Sequence, residues 1–134
     1  MKQRIWICCF LLIALVAAGC TERQEKMVYL GESKNWKAML TAIHTPGSDK
    51  ETQVLRLSYK SPDIDSVYDV SYTLAGVPRE IKGSEDNMNN KSAITRRIVC
   101  QGCKLAGERD TFTLTVEWSP NRKEMFTLKF IRKE

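Results

Sequence analysis

From Met27 onward, apolar and polar residues alternate with a period of two. Trp36, Ala38, Leu40 and Ala42 share one parity, and Lys37, Met39 and Thr41 the other. The same alternation runs through Leu55–Leu57–Tyr59, Tyr68–Val70–Tyr72–Leu74, Phe112–Leu114–Val116–Trp118 and Phe126–Leu128–Phe130. Ile94, Ile98 and Cys100 share a parity that Arg96 interrupts, and Met27 to Leu30 supplies a further short run. A strand turns successive side chains to opposite faces, so each run predicts a half-buried β-strand. The aromatic and β-branched content agrees. Turn signals separate the runs: His44-Thr45-Pro46-Gly47-Ser48-Asp49, Ser61-Pro62-Asp63, and Ser119-Pro120-Asn121, which closes a hairpin between the last two runs. This spacing predicts an all-β domain, an antiparallel immunoglobulin-like β-sandwich of about seven strands. Ala75 to Lys91, with three glycines or prolines and a polar run from Ser84 to Asn90, reads as a solvated crossover in which Val77 and Ile81 form at most a short edge strand. Trp36 and Trp118 share parity with aliphatic residues, which predicts core positions and not a carbohydrate platform.

The first twenty residues follow another pattern. Lys2 and Arg4 form a basic head, Ile5 to Ala18 is an uncharged apolar run of fourteen residues, and Ala17-Ala18-Gly19 leads into Cys20. Fourteen residues are too few to span a bilayer, which takes about 20, but suit the helical apolar region of a secretory signal. The small residues before Cys20 match a lipobox, although Ala17 stands where a larger aliphatic residue is preferred. The expectation is a signal peptide over residues 1–19, a lipidated Cys20 heading a polar tether over 20–26, and a β-domain over 27–134. A diacylglyceryl group gives two acyl chains, enough for firm anchoring where one is marginal.

Removing residues 1–19 from the 134 leaves 115, the size of one small domain. Lys2 and Arg4 leave with the signal, so the net charge falls from +5 to +3. That balance and an extracytoplasmic address give no support for nucleic-acid binding. Of five cysteines, Cys8 and Cys9 also leave, and Cys20 is committed to lipid. Cys100-Gln101-Gly102-Cys103 is then the one mature motif with plausible chemistry, and three readings compete. A redox dithiol needs a helix N-terminus to lower the thiol pKa, and no helical pattern adjoins it. A zinc site wants about four ligands, and His44 is the only histidine available. A structural disulfide in an oxidising compartment requires neither. No nucleophile–base motif accompanies His44, and Glu85 to Asn90 lacks the spacing of a calcium loop. No catalytic residue, metal or cofactor is predicted.

Gly31-Glu32-Ser33-Lys34-Asn35-Trp36, following Tyr29-Leu30, resembles the Gly-Glu-Ser-x-Asn-Trp signature of a family of small lipoproteins of Bacillus and related Firmicutes. Glu117-Trp118 followed by Lys123-Glu124-Met125-Phe126 is similar to their C-terminal hairpin, and the cysteine pair before the penultimate strand also matches. Ser119-Pro120-Asn121-Arg122 departs from the family's Trp-Asn-Gly turn. The resemblance implies a small β-sandwich outside the plasma membrane, with no catalytic residue to carry over. Glu32, Ser33 and Asn35 are suited to satisfying nearby backbone groups and are also the candidate binding residues, because strand-connecting loops commonly carry function. The expected function is a membrane-anchored, non-enzymatic module that binds a protein or envelope component. The alternative is thiol–disulfide or metal handling through Cys100 and Cys103.

Overall fold

A computed structural model describes residues 23–76, 80–89 and 91–134; the signal segment and Cys20 lie outside these described residues. Eight strands follow one another: β1 (Glu25–Glu32), β2 (Trp36–His44), β3 (Lys50–Tyr59), β4 (Tyr68–Ala75), β5 (Ile81–Asn87), β6 (Ile94–Gln101), β7 (Thr111–Trp118) and β8 (Arg122–Lys133). The described residues contain no α-helix, only one turn of 3-10 helix at Ile64–Ser66. Every strand pairing is antiparallel.

The protein is therefore all-β and antiparallel, but the pairing differs from a two-sheet, seven-strand sandwich. All eight strands join one sheet in the order β5-β4-β7-β8-β1-β2-β3-β6. The halves meet at β1, which pairs with β2 on one side and β8 on the other. The β1–β8 register shifts by one residue between the Val28–Arg132 and Tyr29–Phe130 pairs, leaving Ile131 as the extra residue. Such a bulge bends and twists a strand. The sheet curls until β5 and β6, its two edges, come close together without a ladder between them, giving a nearly closed barrel.

The period-two alternation sets what fills it. Trp36, Ala38, Leu40 and Ala42 of β2 meet Leu55, Leu57 and Tyr59 of β3 and Phe112, Leu114, Val116 and Trp118 of β7 in one buried cluster. Burial of each large apolar side chain contributes about 1.5–3 kcal/mol. Both Trp36 and Trp118 are buried, their indoles 5.5 Å apart edge to face.

The stretch from Ala75 to Lys91 corrects the crossover expectation, since seven of its residues form β5, which pairs with β4 from Tyr68–Asn87 to Leu74–Ile81. Its polar composition follows from its place at a sheet edge, where one flank pairs with β4 and the other is left without a ladder. Gly83 lies opposite Tyr72, and a Cβ there would stand 2.1 Å from the Tyr72 hydroxyl. A glycine that resembles loop punctuation is in fact the space that a tyrosine ring occupies.

The strand directions sort the connections onto two ends. At the entry end lie Arg23 and Gln24, the β2–β3 turn and the crossover from β6 to β7. At the far end lie the β1–β2 loop, the β3–β4 and β5–β6 connections and the β7–β8 turn.

Candidate functional site

The β1–β2 loop is three residues long, Ser33 to Asn35, and closes with the Ser33 N–H donating to Trp36 O at 2.8 Å. Just before it, Gly31 runs against β8: a Cβ on Gly31 would fall 2.4 Å from Thr127 O. Only glycine lets the two backbones approach this closely, which brings the loop over the start of β8.

There the loop meets Glu124. Ser33 Oγ donates to Glu124 Oε1 at 2.5 Å, and the Asn35 N–H donates to the same oxygen at 2.9 Å. Asn35 Nδ2 donates to Glu124 Oε2 at 2.7 Å. Burial alone would raise the Glu124 pKa, but these three donors and the nearby Lys34 charge outweigh it and hold the carboxyl below its ordinary value. Asn35 is used further: its Oδ1 accepts from Ser61 Oγ at 2.9 Å, and its carbonyl accepts from the Lys60 N–H at 2.7 Å. Lys60 Nζ reaches Ser33 O at 2.9 Å and pairs with Glu32 at 3.3 Å. The loop, the β3–β4 connection and β8 are thereby clasped together.

Beneath this clasp is an aromatic floor. Trp36 packs edge-on against Tyr59 at 5.0 Å as well as against Trp118. Its Nε1–H is buried without a hydrogen-bond acceptor among the described residues. Tyr59 donates to Asp63 Oδ1 at 3.0 Å, so burial first and Asp63 second raise its pKa.

The three expected binding residues thus fall together, but not alike. Ser33 and Asn35 spend their side chains on Glu124 and Ser61, whereas the Glu32 side chain is 62 % exposed and pairs only with Lys60 among the ion pairs of the described residues. Glu124 was legible only as part of the hairpin resemblance. The signal that marks it is parity: it stands on the same side of β8 as Phe126, Leu128 and Phe130, a glutamate in an apolar register.

The entry end holds a second buried carboxyl with the same signature. Glu51 and Gln53 share the inward parity of Leu55, Leu57 and Tyr59, and are 2 % and 1 % exposed. Glu51 Oε1 accepts from Gln53 Nε2 at 2.8 Å, and Oε2 accepts from the Ala106 N–H at 2.9 Å. Glu51 therefore fastens the β6–β7 crossover across the barrel mouth. Tyr29 assists from β1 by donating to Gly107 O at 2.6 Å. Burial, then the charges of Asp110, Glu51 and Glu108, push the Tyr29 pKa up to about 12.

Cys100 and Cys103 are joined in a disulfide at the end of β6, with Cα atoms 5.9 Å apart. Cys100 stands opposite Glu51 in the β3–β6 register, and the ring is pinned where the Gly102 N–H donates to Asp49 O at 2.8 Å. It sits at a strand end, with no helix terminus beside it. His44 is occupied locally, its Nε2 2.8 Å from Ser48 O, to which it donates. Among the described residues no three His, Cys, Asp or Glu side chains group as metal ligands. Compared with protein-family models, curated proteins and solved structures, the chain matches none of them.

Proposed function

We propose that this chain is a membrane-anchored extracytoplasmic lipoprotein whose β-domain is a non-enzymatic interaction module. The observation that carries the reading is the basic–apolar–small–cysteine pattern ending at Cys20. The fold supports it geometrically. Residues Arg23 and Gln24 lead directly into β1 at the entry end, and the Ser33–Asn35 loop lies at the other end of that strand. Eight extended residues span about 26 Å. Anchoring at Cys20 therefore leaves Glu32, the last residue of β1, and Lys34, in the loop after it, farthest along β1 from the anchor and open to a protein or envelope component. Ser33 and Asn35 hold that loop in shape through Glu124.

The resemblance to the small Firmicutes lipoproteins is part of the same proposal. Their shared Gly-Glu-Ser-x-Asn-Trp sequence is accounted for here by the close approach at Gly31, the clasp on Glu124 and the core position of Trp36.

The test is the fate of Cys20. Membrane fractions and intact-mass measurement of the mature protein should give a chain beginning at a diacylglyceryl-modified Cys20, and Cys20→Ser should release the protein from membranes. A chain cut elsewhere and carrying no lipid overturns the proposal. Thiol labelling of the same preparation bears on the module's chemistry: a pair at Cys100 and Cys103 that mild reductant opens readily would favour thiol–disulfide handling instead.

A further inference from the structure

The outer surface of the barrel is not uniform. On neighbouring strands β8, β1, β2, β3 and β6, the register sets outward-facing residues in rows. One row reads Arg132, Val28, Thr41, Val54, Arg97, of which Val28 is only 2 % exposed. The next reads Lys129, Leu30, Met39, Arg56, Thr95. Each row has apolar or weakly polar residues at its centre and cations toward its flanks. Ile131 and Val99, 45 % and 43 % exposed, extend the apolar part on either side. Two shallow depressions of about 360 and 400 Å³ mark this face, and no acidic residue lines either. Lys37, Lys50, Arg56 and Arg97 have no carboxylate within ion-pair distance among the described residues, while Arg132 pairs with Glu134. On β4 and β7, by contrast, the outward positions include Asp69, Ser71, Thr73, Thr113, Thr115 and Glu117, hydroxyl-bearing and acidic, with Ala75 the apolar exception.

We propose that the β8-β1-β2-β3-β6 face lies against anionic lipid headgroups. The inference rests on the anchoring of Cys20 put forward above. Unpaired cations around an apolar centre complement an anionic interface, where each Lys or Arg within a Debye length adds attraction. The length of chain before the sheet selects a bilayer over a soluble acidic partner. From Cys20 to Gln24 the chain reaches on the order of 14 Å. It enters β1, a strand of this face flanked by β8 and β2, and Gln24 itself lines the second depression. A tether this short keeps the face at high effective concentration beside the membrane. The domain then rests on its side, with the β4–β7 surface turned outward.

The experiment uses the full processed chain carrying either Ile131→Cys, on the face, or Ser71→Cys, on the opposite surface. Each is incubated with vesicles of phosphatidylcholine alone or with about 30 % phosphatidylglycerol, and reaction with a water-soluble maleimide is timed. Labelling of Ile131→Cys should slow about fivefold or more on the anionic vesicles only, recover in high salt, and recover with Arg56→Glu and Arg97→Glu combined. Ser71→Cys should react equally throughout. Equal labelling of both positions on anionic vesicles that carry the protein overturns the proposal, as does protection in free solution that grows with protein concentration, which gives the face to a second copy. Co-flotation separates the two readings. Failure to float with neutral vesicles refutes the anchor alone if anionic vesicles still bind and protect Ile131→Cys; failure with both refutes the face as well.

Discussion

Each end of the barrel is fastened by one glutamate that a strand carries in an apolar register, and the two ends use it differently. Glu124 at the far end is partly exposed, takes three donors from one short loop and lies beside Lys34. Glu51 at the entry end is almost wholly buried and takes two donors, one from its own strand and one from a crossover 55 residues away. The first shapes a local turn that an aromatic floor already supports. The second joins parts of the chain that no strand ladder connects. Removing a buried acceptor leaves its donors without water to replace it, so depth and separation both raise the cost.

The largest effect probes what lies under the far clasp. Trp36→Ala should cost about 3–5 kcal/mol in urea unfolding, as for other buried aromatics. A melt unchanged by this substitution would mean that the loop and not the floor holds that end.

Glu51→Ala comes next. It strands the Ala106 N–H in the interior and should cost about 2–4 kcal/mol. Hydrogen exchange should show the 102–110 crossover losing protection while the β1–β2 loop keeps its own. Protection lost equally at both ends would break the distinction between them.

Glu124→Gln is milder. It sets an amide against Asn35 Nδ2, donor facing donor, at about 1–2 kcal/mol. It also has a pH signature. The folded-state pKa lies below the unfolded one, so the stabilisation is complete above the ordinary glutamate value of 4.5 and is lost as pH falls through the folded pKa. Acid unfolding curves of Glu124→Gln should lack that component; an unchanged acid limb would show that the clasp carries no charge-dependent stability. The smallest expected change is Tyr29→Phe, about 0.5–1.5 kcal/mol from the lost bond to Gly107 O. Alkaline absorbance titration of the parent protein should find one tyrosine ionising only at about 12, absent from the variant.

Most of the strand framework is readable from parity, because a buried face forces alternation. Trp36 to Ala42, Phe112 to Trp118 and the hairpin at Ser119-Pro120-Asn121 all follow that rule. Parity does not say how many sheets the strands make, since one curled sheet and two packed sheets present the same inward residues. Nor does it reveal β5, an edge strand whose polar residues and Gly83 erase the pattern. The candidate loop was visible through its composition, but its partner was not: Glu124 lies 89 residues from Asn35, and no local spacing links them. The more useful clue is a carboxyl or amide on the apolar parity, which picks out Glu51, Gln53 and Glu124 at once.

The place of β1 in the middle of the sheet also bears on how the chain completes its fold. One flank of β1 is satisfied early by β2, but the other waits for β8, and Lys26 and Glu134 exchange backbone hydrogen bonds at 3.0 and 2.7 Å. First and last described strands must therefore meet before the barrel can form, a long-range pairing of the kind that slows folding. In the export proposed above, a chain threaded outward N-terminus first cannot finish its fold while β8 is still inside. The bare flank of β1 stays open to chaperones and proteases until the last strand arrives.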